Sequence, residues 1–160
     1  MTDLQSREIR LWVPGPPIAQ QRPRAVAVKG KARVYHPNGA SKQYKRQIAL
    51  KARQAFSDPL AGPVVLALRF CMPRPKSRVW KTKEMPREWH TKKPDIDNLM
   101  KSVMDALNGI AWHDDSQVCE TRAMKCVASG YETSGSWIAI APADHLLPIS
   151  AVFDTPSPGR

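Results

Sequence analysis

The segment Val64–Cys71 constrains the fold more than any other part of this chain. Two sets of apolar side chains alternate along it, with Val64, Leu66, Leu68 and Phe70 on one face and Val65, Ala67 and Cys71 on the other. A strand that is apolar on both faces has to be shielded from water on both. The sequence therefore predicts a central strand that is covered on both sides.

Proline and glycine clusters separate the other elements from one another. Short apolar or alternating runs between these clusters are typical of strands. The further strands predicted for the sheet are Ile9–Val13, Gln117–Val127 and Ser136–Ala141, with a turn near Gly130. A small hairpin is predicted from Ala25–Val28 and Arg33–His36, around Gly30.

Two segments have the periodicity of amphipathic helices. The first runs from an N-cap at Ser41 to about Phe56, and the second from Ile96 to Leu107 with Gly109 in its C-cap region. The predicted buried stripes are Tyr44, Ile48, Ala52 and Ala55 in the first helix and Ile96, Leu99, Met100, Val103 and Leu107 in the second. The predicted fold class is α+β, a small mixed β-sheet packed with two main helices.

The length of 160 residues fits one domain with a real core. We place this domain at residues 1–142 and expect the Pro-rich tail, residues 143–160, to be extended or partly disordered. The chain has no apolar run of membrane-span length, and its first residues lack the apolar core of a signal peptide. Three cysteines without a CxxC pair argue against a disulfide framework and a zinc site. We therefore expect a cytoplasmic protein.

The formal net charge of +11 favours a polyanionic partner, of which nucleic acid is the commonest. Much of the positive charge lies in a predicted loop, Pro73–Pro94, in which Trp80 and Trp89 are interleaved with lysines and arginines. Loops of this length are usually functional or disordered. The two tryptophans either anchor the loop or stack on nucleobases, and both alternatives stay open.

Four carboxylates stand out in this basic chain, in the pairs Asp95 with Asp97 and Asp114 with Asp115. Clustered oxygen ligands suit a hard cation, Mg²⁺ or Mn²⁺, acting on a phosphate. Lys101 follows Asp97 by four residues, on the same helix face, where a lysine can stabilise charge on a phosphate. Helix capping is the competing explanation for the first pair, but it does not account for Lys101 or the second pair.

The two acidic pairs flank the second helix, which spans about 18 Å. Either the fold or an oligomer has to bring them together if they form one site. His113, beside Asp114, is the one histidine that we keep as a neighbour of the site. An EF-hand is excluded because Met100 occupies the position that requires glycine, and the chain has no P-loop.

The spacing of these residues resembles the RusA family of Holliday junction resolvases, which is common in phages and prophages. The similar residues are DIDNL from Asp95, then Lys101, DAL from Asp105 and DDSQV from Asp114. QQRPRA upstream, ending at Ala25, and RVY at 33–35 are similar as well. The resemblance covers most of residues 8–142.

This resemblance implies a homodimeric endonuclease that needs Mg²⁺ or Mn²⁺, but no small-molecule cofactor, to cut four-way DNA junctions with paired symmetric nicks. Its metal ligands would be Asp95, Asp97 and Asp115, with Lys101 as the catalytic lysine and Asp114 at a further acidic position of the family pattern. We expect the DNA backbone to be held by Arg22, Arg24, Lys92 and Lys93.

The chain departs from the family pattern in its Pro73–Pro94 loop, its tail and a slightly shorter segment from Asp105 to Asp114. These differences leave the preferred DNA substrate open. The alternatives are a branched-DNA-binding protein without cleavage and a nuclease of relaxed preference for flaps and forks.

Overall fold

The structure is a computed structural model that describes residues 8–21, 24–35 and 39–143. Its helices and strands, in chain order, are β1 (Ile9–Pro14), β2 (Arg24–Val28), β3 (Lys31–Tyr35), α1 (Gly39–Ala55), β4 (Val64–Met72), β5 (Glu88–Trp89), α2 (Ile96–Leu107), β6 (Val118–Val127) and β7 (Gly135–Pro142). The main sheet has the order β1-β7-β4-β6-β5, and β2 with β3 forms a separate hairpin. The predicted α+β class and the predicted hairpin are confirmed.

Strand β4 lies in the middle of this mixed sheet. It pairs parallel with β6 and antiparallel with β7, and all nine of its residues are buried. Leu66, Leu68 and Phe70 belong to the main core beneath the helices, whereas Val65 and Ala67 belong to a second cluster on the opposite face. The predicted central strand and its alternation are therefore confirmed.

Helix α2 has the bounds that the sequence predicts, and Leu99, Val103 and Leu107 are buried along it. Gly109 has a φ of +75°, a conformation that favours glycine and suits the residues that follow a helix.

The predicted start of the first helix was wrong. Helix α1 begins at Gly39, so Ser41 lies inside its first turn, where it is buried and is not the N-cap. Ala55 is exposed, and the ring of Phe56 instead packs into the core beyond Ala52. The larger ring buries more apolar area than an alanine does, which explains why the chain turns Phe56 inward.

Both helices run from the carboxyl end of β4 towards its amino end. Near the start of α1, the hydroxyl of Tyr44 is 2.6 Å from that of Ser136, whose register partner on β4 is Phe70. Beyond the ends of both helices, the Leu60 amide donates to the Ala111 carbonyl at 2.9 Å. The helix N-termini therefore share one end of the sheet.

The Pro73–Pro94 segment contains more regular structure than predicted. It includes one turn of 3-10 helix, Lys76–Arg78, and the two-residue strand β5, which pairs with the outer edge of β6. Arg74 ties the segment together by binding Glu88 within it, and it joins the segment to the rest of the protein by donating to the Ala128 carbonyl. On the other side, Arg87 donates to both carboxylate oxygens of Glu132.

Glu132 should make the stability of the protein depend on acid pH. Burial would raise the pKa of Glu132, but hydrogen bonds from Arg87 and the Ser129 amide outweigh it and lower this pKa to about 2. A lowered pKa gives stability that is present above the ordinary value near 4.5 and is lost as pH falls towards 2. Between pH 6 and 3 we expect wild type to lose roughly 1 to 2 kcal/mol more unfolding free energy than Glu132→Gln.

Urea unfolding at pH 6 and pH 3 measures this difference. Glu84→Gln is the control, because Glu84 is an exposed glutamate of the Pro73–Pro94 segment that carries Arg87, the partner of Glu132. Equal losses in wild type and Glu132→Gln would contradict the prediction.

No helix in the described part of the chain, including α1 and α2, is long and apolar enough to span a membrane. The predicted tail, apart from Ala143 at its first position, lies outside the described residues.

Candidate active site

Asp95 and Asp97 lie at the N-terminus of α2, and both are exposed. Asp95 occupies the N-cap position, yet its side chain makes no capping hydrogen bond. Within the described residues, neither carboxylate has a hydrogen-bond or ion-pair partner. Capping therefore does not explain Asp95, and both carboxylates are available to a ligand.

Lys101 is exposed one turn after Asp97, on the side of α2 that faces away from the buried Leu99, Val103 and Leu107. Its ammonium group has no partner among the residues that the structure describes. The next acid along this side, Asp105, is occupied, because it accepts a hydrogen bond from Lys45 of α1 at 2.9 Å. Two carboxylates and one ammonium group, all without a partner in the described part of the chain, thus lie together at the start of α2.

Asp114 and Asp115 have different roles in the turn that precedes β6. The Asp114 carboxylate caps the 3-10 turn Asp115–Gln117, and its hydrogen bonds from Ser116 lower the pKa of Asp114. Asp115 is half-buried and accepts a hydrogen bond from the indole of the buried Trp112 at 2.8 Å. Asp114 is therefore engaged locally, whereas Asp115 is held by the indole of Trp112, and its second oxygen has no partner among the residues that the structure describes.

The turn that carries Asp115 is fixed at the amino end of β4. The side-chain amide of Gln117 donates to the carbonyls of Leu60 and Gly62, at 2.9 and 2.8 Å, and the next residue, Val118, pairs with Val64.

One chain does not bring Asp115 to Asp95. Pro94, the residue before Asp95, contacts Lys125 near the far end of β6, whereas Asp115 begins the 3-10 turn that leads into Val118 at the start of β6. At about 3.3 Å per residue, these ends are roughly 20 Å apart. Among residues 8–21, 24–35 and 39–143, no three His, Cys, Asp or Glu side chains are grouped to hold one metal ion.

The donor chemistry of these acids nevertheless fits a hard divalent cation. All three candidate ligands offer carboxylate oxygens, and the first two are unengaged within the described residues. Asp115 has the restrained geometry that an outer hydrogen-bond partner gives to a metal ligand. Asp95 and Asp97 lie two residues apart at the start of α2, whereas Asp115 of the same chain lies beside the opposite end of β6.

The other predicted site residues are less informative. Lys92 and Lys93 are exposed beside the acidic helix start, and His113 is exposed with its backbone amide bound to the Gln117 side chain. Arg24 begins β2, and Arg22 lies outside the described residues. Trp89 is 74% exposed, so burial as a loop anchor does not describe it.

Two features of the site were missed in the sequence. The first is Trp112, three residues before Asp115, whose indole fixes that carboxylate. The second is Lys125 of β6, which contacts the backbone just before Asp95. The three-residue spacing between Trp112 and Asp115 is a signal from which the first contact could have been predicted. The second had none, because a single lysine on a strand forms no sequence pattern.

Comparison with known proteins places these residues in a family. Residues 14–133 match the family Endodeoxyribonuclease RusA. An uncharacterized protein of Bacillus subtilis (strain 168), YqaN, is 38% identical over 123 residues, covering 73% of this chain and 86% of that protein. The crossover junction endodeoxyribonuclease rusA of Lactococcus phage r1t is 31% identical over 111 residues, covering 68% of this chain and 79% of the phage protein. The chain therefore belongs to the RusA family of endodeoxyribonucleases.

Proposed function

We propose that this protein is a metal-dependent endonuclease that resolves four-way DNA junctions by paired, symmetric nicks. The observation that carries the proposal is the exposed group of Asp95, Asp97 and Lys101, whose charges have no partner within the described residues. The family and the name of the phage relative, a crossover junction endodeoxyribonuclease, support DNA as the substrate and the crossover junction as its form.

The proposed ligands of Mg²⁺, or of Mn²⁺ in its place, are Asp95, Asp97 and Asp115. A bound ion would supply Lewis acidity and a more acidic water at the phosphate. Lys101 stabilises negative charge that develops on the phosphate, because its ammonium group lies one turn from Asp97 and has no partner within residues 8–21, 24–35 and 39–143. Trp112 holds Asp115 in place by its hydrogen bond and keeps one side of that carboxylate dry.

The active form in this proposal is a homodimer with composite sites. Because Asp115 lies roughly 20 Å from the start of α2 in its own chain, the partner subunit supplies this ligand. A two-fold axis that brings Asp95 of one subunit next to Asp115 of the other generates two identical sites. Two symmetric sites suit a substrate in which two strands are cut.

Helix α1 offers a surface for the DNA backbone. Its 17 residues include five cations and no acid, and it spans about 25 Å beside α2. Four of the cations are exposed and have no ion-pair partner among the described residues, namely Lys42, Arg46, Lys51 and Arg53. Together with Lys92 and Lys93, this surface carries positive charge along the helices, from the start of α2 near Asp95 towards the turn that carries Asp115.

Removing two charges from α1 should weaken the salt dependence of junction binding. Each lost phosphate contact lowers the slope of log K against log salt by about 1, so Lys42→Gln with Arg46→Gln should lower it by about 2. Fluorescence anisotropy with a labelled junction in EDTA, over a series of salt concentrations, measures the slope.

The matched control is Arg10→Gln with Arg122→Gln, which removes the same net charge. These arginines are paired with Glu8 and Glu120 on the sheet face opposite the helices, in register with Ala139 and Ala67. An equal change of slope in both double variants would mean that net charge, and not α1, sets the salt dependence.

A cleavage panel tests the function as a whole. Duplex, flap, fork and four-way junction are incubated with the protein and Mg²⁺, and the products are separated on denaturing and native gels. Paired nicks confined to the junction support the proposal. Equal cutting of flaps and forks would favour a relaxed nuclease, and tight binding without nicks would favour a branched-DNA-binding protein.

A further inference from the structure

Lys125 lies beneath the segment that leads into the acidic cluster. Its register partner on β4 is Phe70, so its side chain is on the sheet face that the helices cover. The ammonium group donates to the carbonyl of Lys92 at 2.7 Å and to that of Pro94 at 2.6 Å. Its own backbone carbonyl accepts from the amide of His90. Residues 90–94 are therefore held to Lys125 by one hydrogen bond to its backbone and two from its side chain.

The contact to Pro94 is one residue away from Asp95. The Asp95 side chain makes no hydrogen bond that would fix it, so the backbone on either side sets where its carboxylate lies. On the helix side, the Asp95 carbonyl accepts from the Leu99 amide at 3.2 Å. On the loop side, the restraint is the hydrogen bond from Lys125.

Lys125 and Lys101 differ in the hydrogen-bond partners of their ammonium groups. Two of the three donors of Lys125 are taken by backbone carbonyls, whereas Lys101 has no partner in the described chain. Hydrogen bonds from an ammonium group are stronger than neutral ones and suit a restraint between a strand and a loop. Lys101 is therefore placed to contact the substrate, whereas Lys125 holds two parts of the protein together.

We propose that Lys125 is a positioning residue that holds Asp95 in the place where it binds a divalent cation. This inference rests on the proposed function, because it takes Asp95 to be a metal ligand. Outer partners of metal ligands typically contribute about 10- to 100-fold to metal affinity. Loss of the two hydrogen bonds should therefore weaken metal binding without weakening metal-free DNA binding.

The test compares Lys125→Met, which keeps the length of the side chain but has no donor, with Lys125→Arg, which restores donors. Binding of Mn²⁺ to DNA-free protein is followed by the loss of the free-ion EPR signal. The Mg²⁺ concentration for half-maximal junction cleavage is the second readout, and the melting temperature is the third. Lys45→Met is the matched control, because Lys45 also restrains α2 but through Asp105.

We expect Lys125→Met to need about 10-fold more Mn²⁺ and Mg²⁺, with junction affinity in EDTA unchanged, and Lys125→Arg to recover most of the loss. Wild-type metal binding in Lys125→Met would overturn the inference. So would a loss of melting temperature and metal affinity shared equally with Lys45→Met, which would mean a general structural role. A wild-type protein that neither binds Mn²⁺ nor cuts junctions would instead refute the proposed function.

Discussion

Asp97→Asn should lower the rate of junction cleavage by about 1000-fold, which corresponds to roughly 4 kcal/mol of barrier. The expected loss is large because the substitution removes one of the three charged oxygen ligands that we propose for the site. Junction binding in EDTA should survive or become tighter, since one negative charge near the phosphates is lost. Single-turnover cleavage with Mg²⁺ and anisotropy without it measure the two effects.

Asp105→Asn is the matched control for this prediction. It makes the same chemical change two turns further along α2, at a carboxylate that is already paired with Lys45. We expect its cleavage rate to stay within about threefold of wild type, because a partly exposed ion pair contributes little to stability. A folded Asp97→Asn protein that cuts at the wild-type rate would refute the assignment of Asp97, and one that no longer binds junctions would indicate a structural role.

Mixing two inactive variants should restore nicking if the sites are composite. Neither Asp97→Asn nor Asp115→Asn alone should cut, because each damages both sites of its own dimer. After subunit exchange, a mixed dimer has one site with both changes and one site with neither. With random exchange, about a quarter of all sites should be intact, so nicked junctions should appear without paired resolution.

The reverse mixture is the control. Wild type mixed with the double variant Asp97→Asn/Asp115→Asn gives dimers in which both sites carry one change, so exchange should lower activity. If each chain builds its own site, the first mixture should stay inactive, and exchange in the second mixture should leave the number of intact sites unchanged. Size-exclusion chromatography with light scattering checks that every variant has the same oligomeric state.

Periodicity alone was sufficient to predict the core elements of the fold. The two-residue alternation of β4 and the helical spacing of α2 are strong signals, because each buries apolar side chains along its whole length. Strand β5 was missed, since two residues among prolines show no period. The strand order was not predictable either, because the neighbours of β4 are set by contacts between distant parts of the chain.

The candidate site was predictable in residue type but not in geometry. Spacing drew attention to both acidic pairs and to Lys101, yet it could not separate a capping carboxylate from a free one. The structure makes that distinction: Asp114 caps its turn, whereas Asp95 does not cap α2. The assignment of the metal ligands and of the DNA-binding residues remains a prediction, which the variants above test.

The parallel pairing of β4 with β6 also affects how the chain reaches its native state. The two strands join residues about fifty positions apart, and the whole acidic segment lies in the loop between them. Closing such a loop costs chain entropy before the contacts of the strands repay it, which slows folding. Until that loop closes, Asp95 and Asp115 have no fixed positions, so an incompletely folded chain has the charged residues of a nuclease but no assembled active site with which to cut DNA.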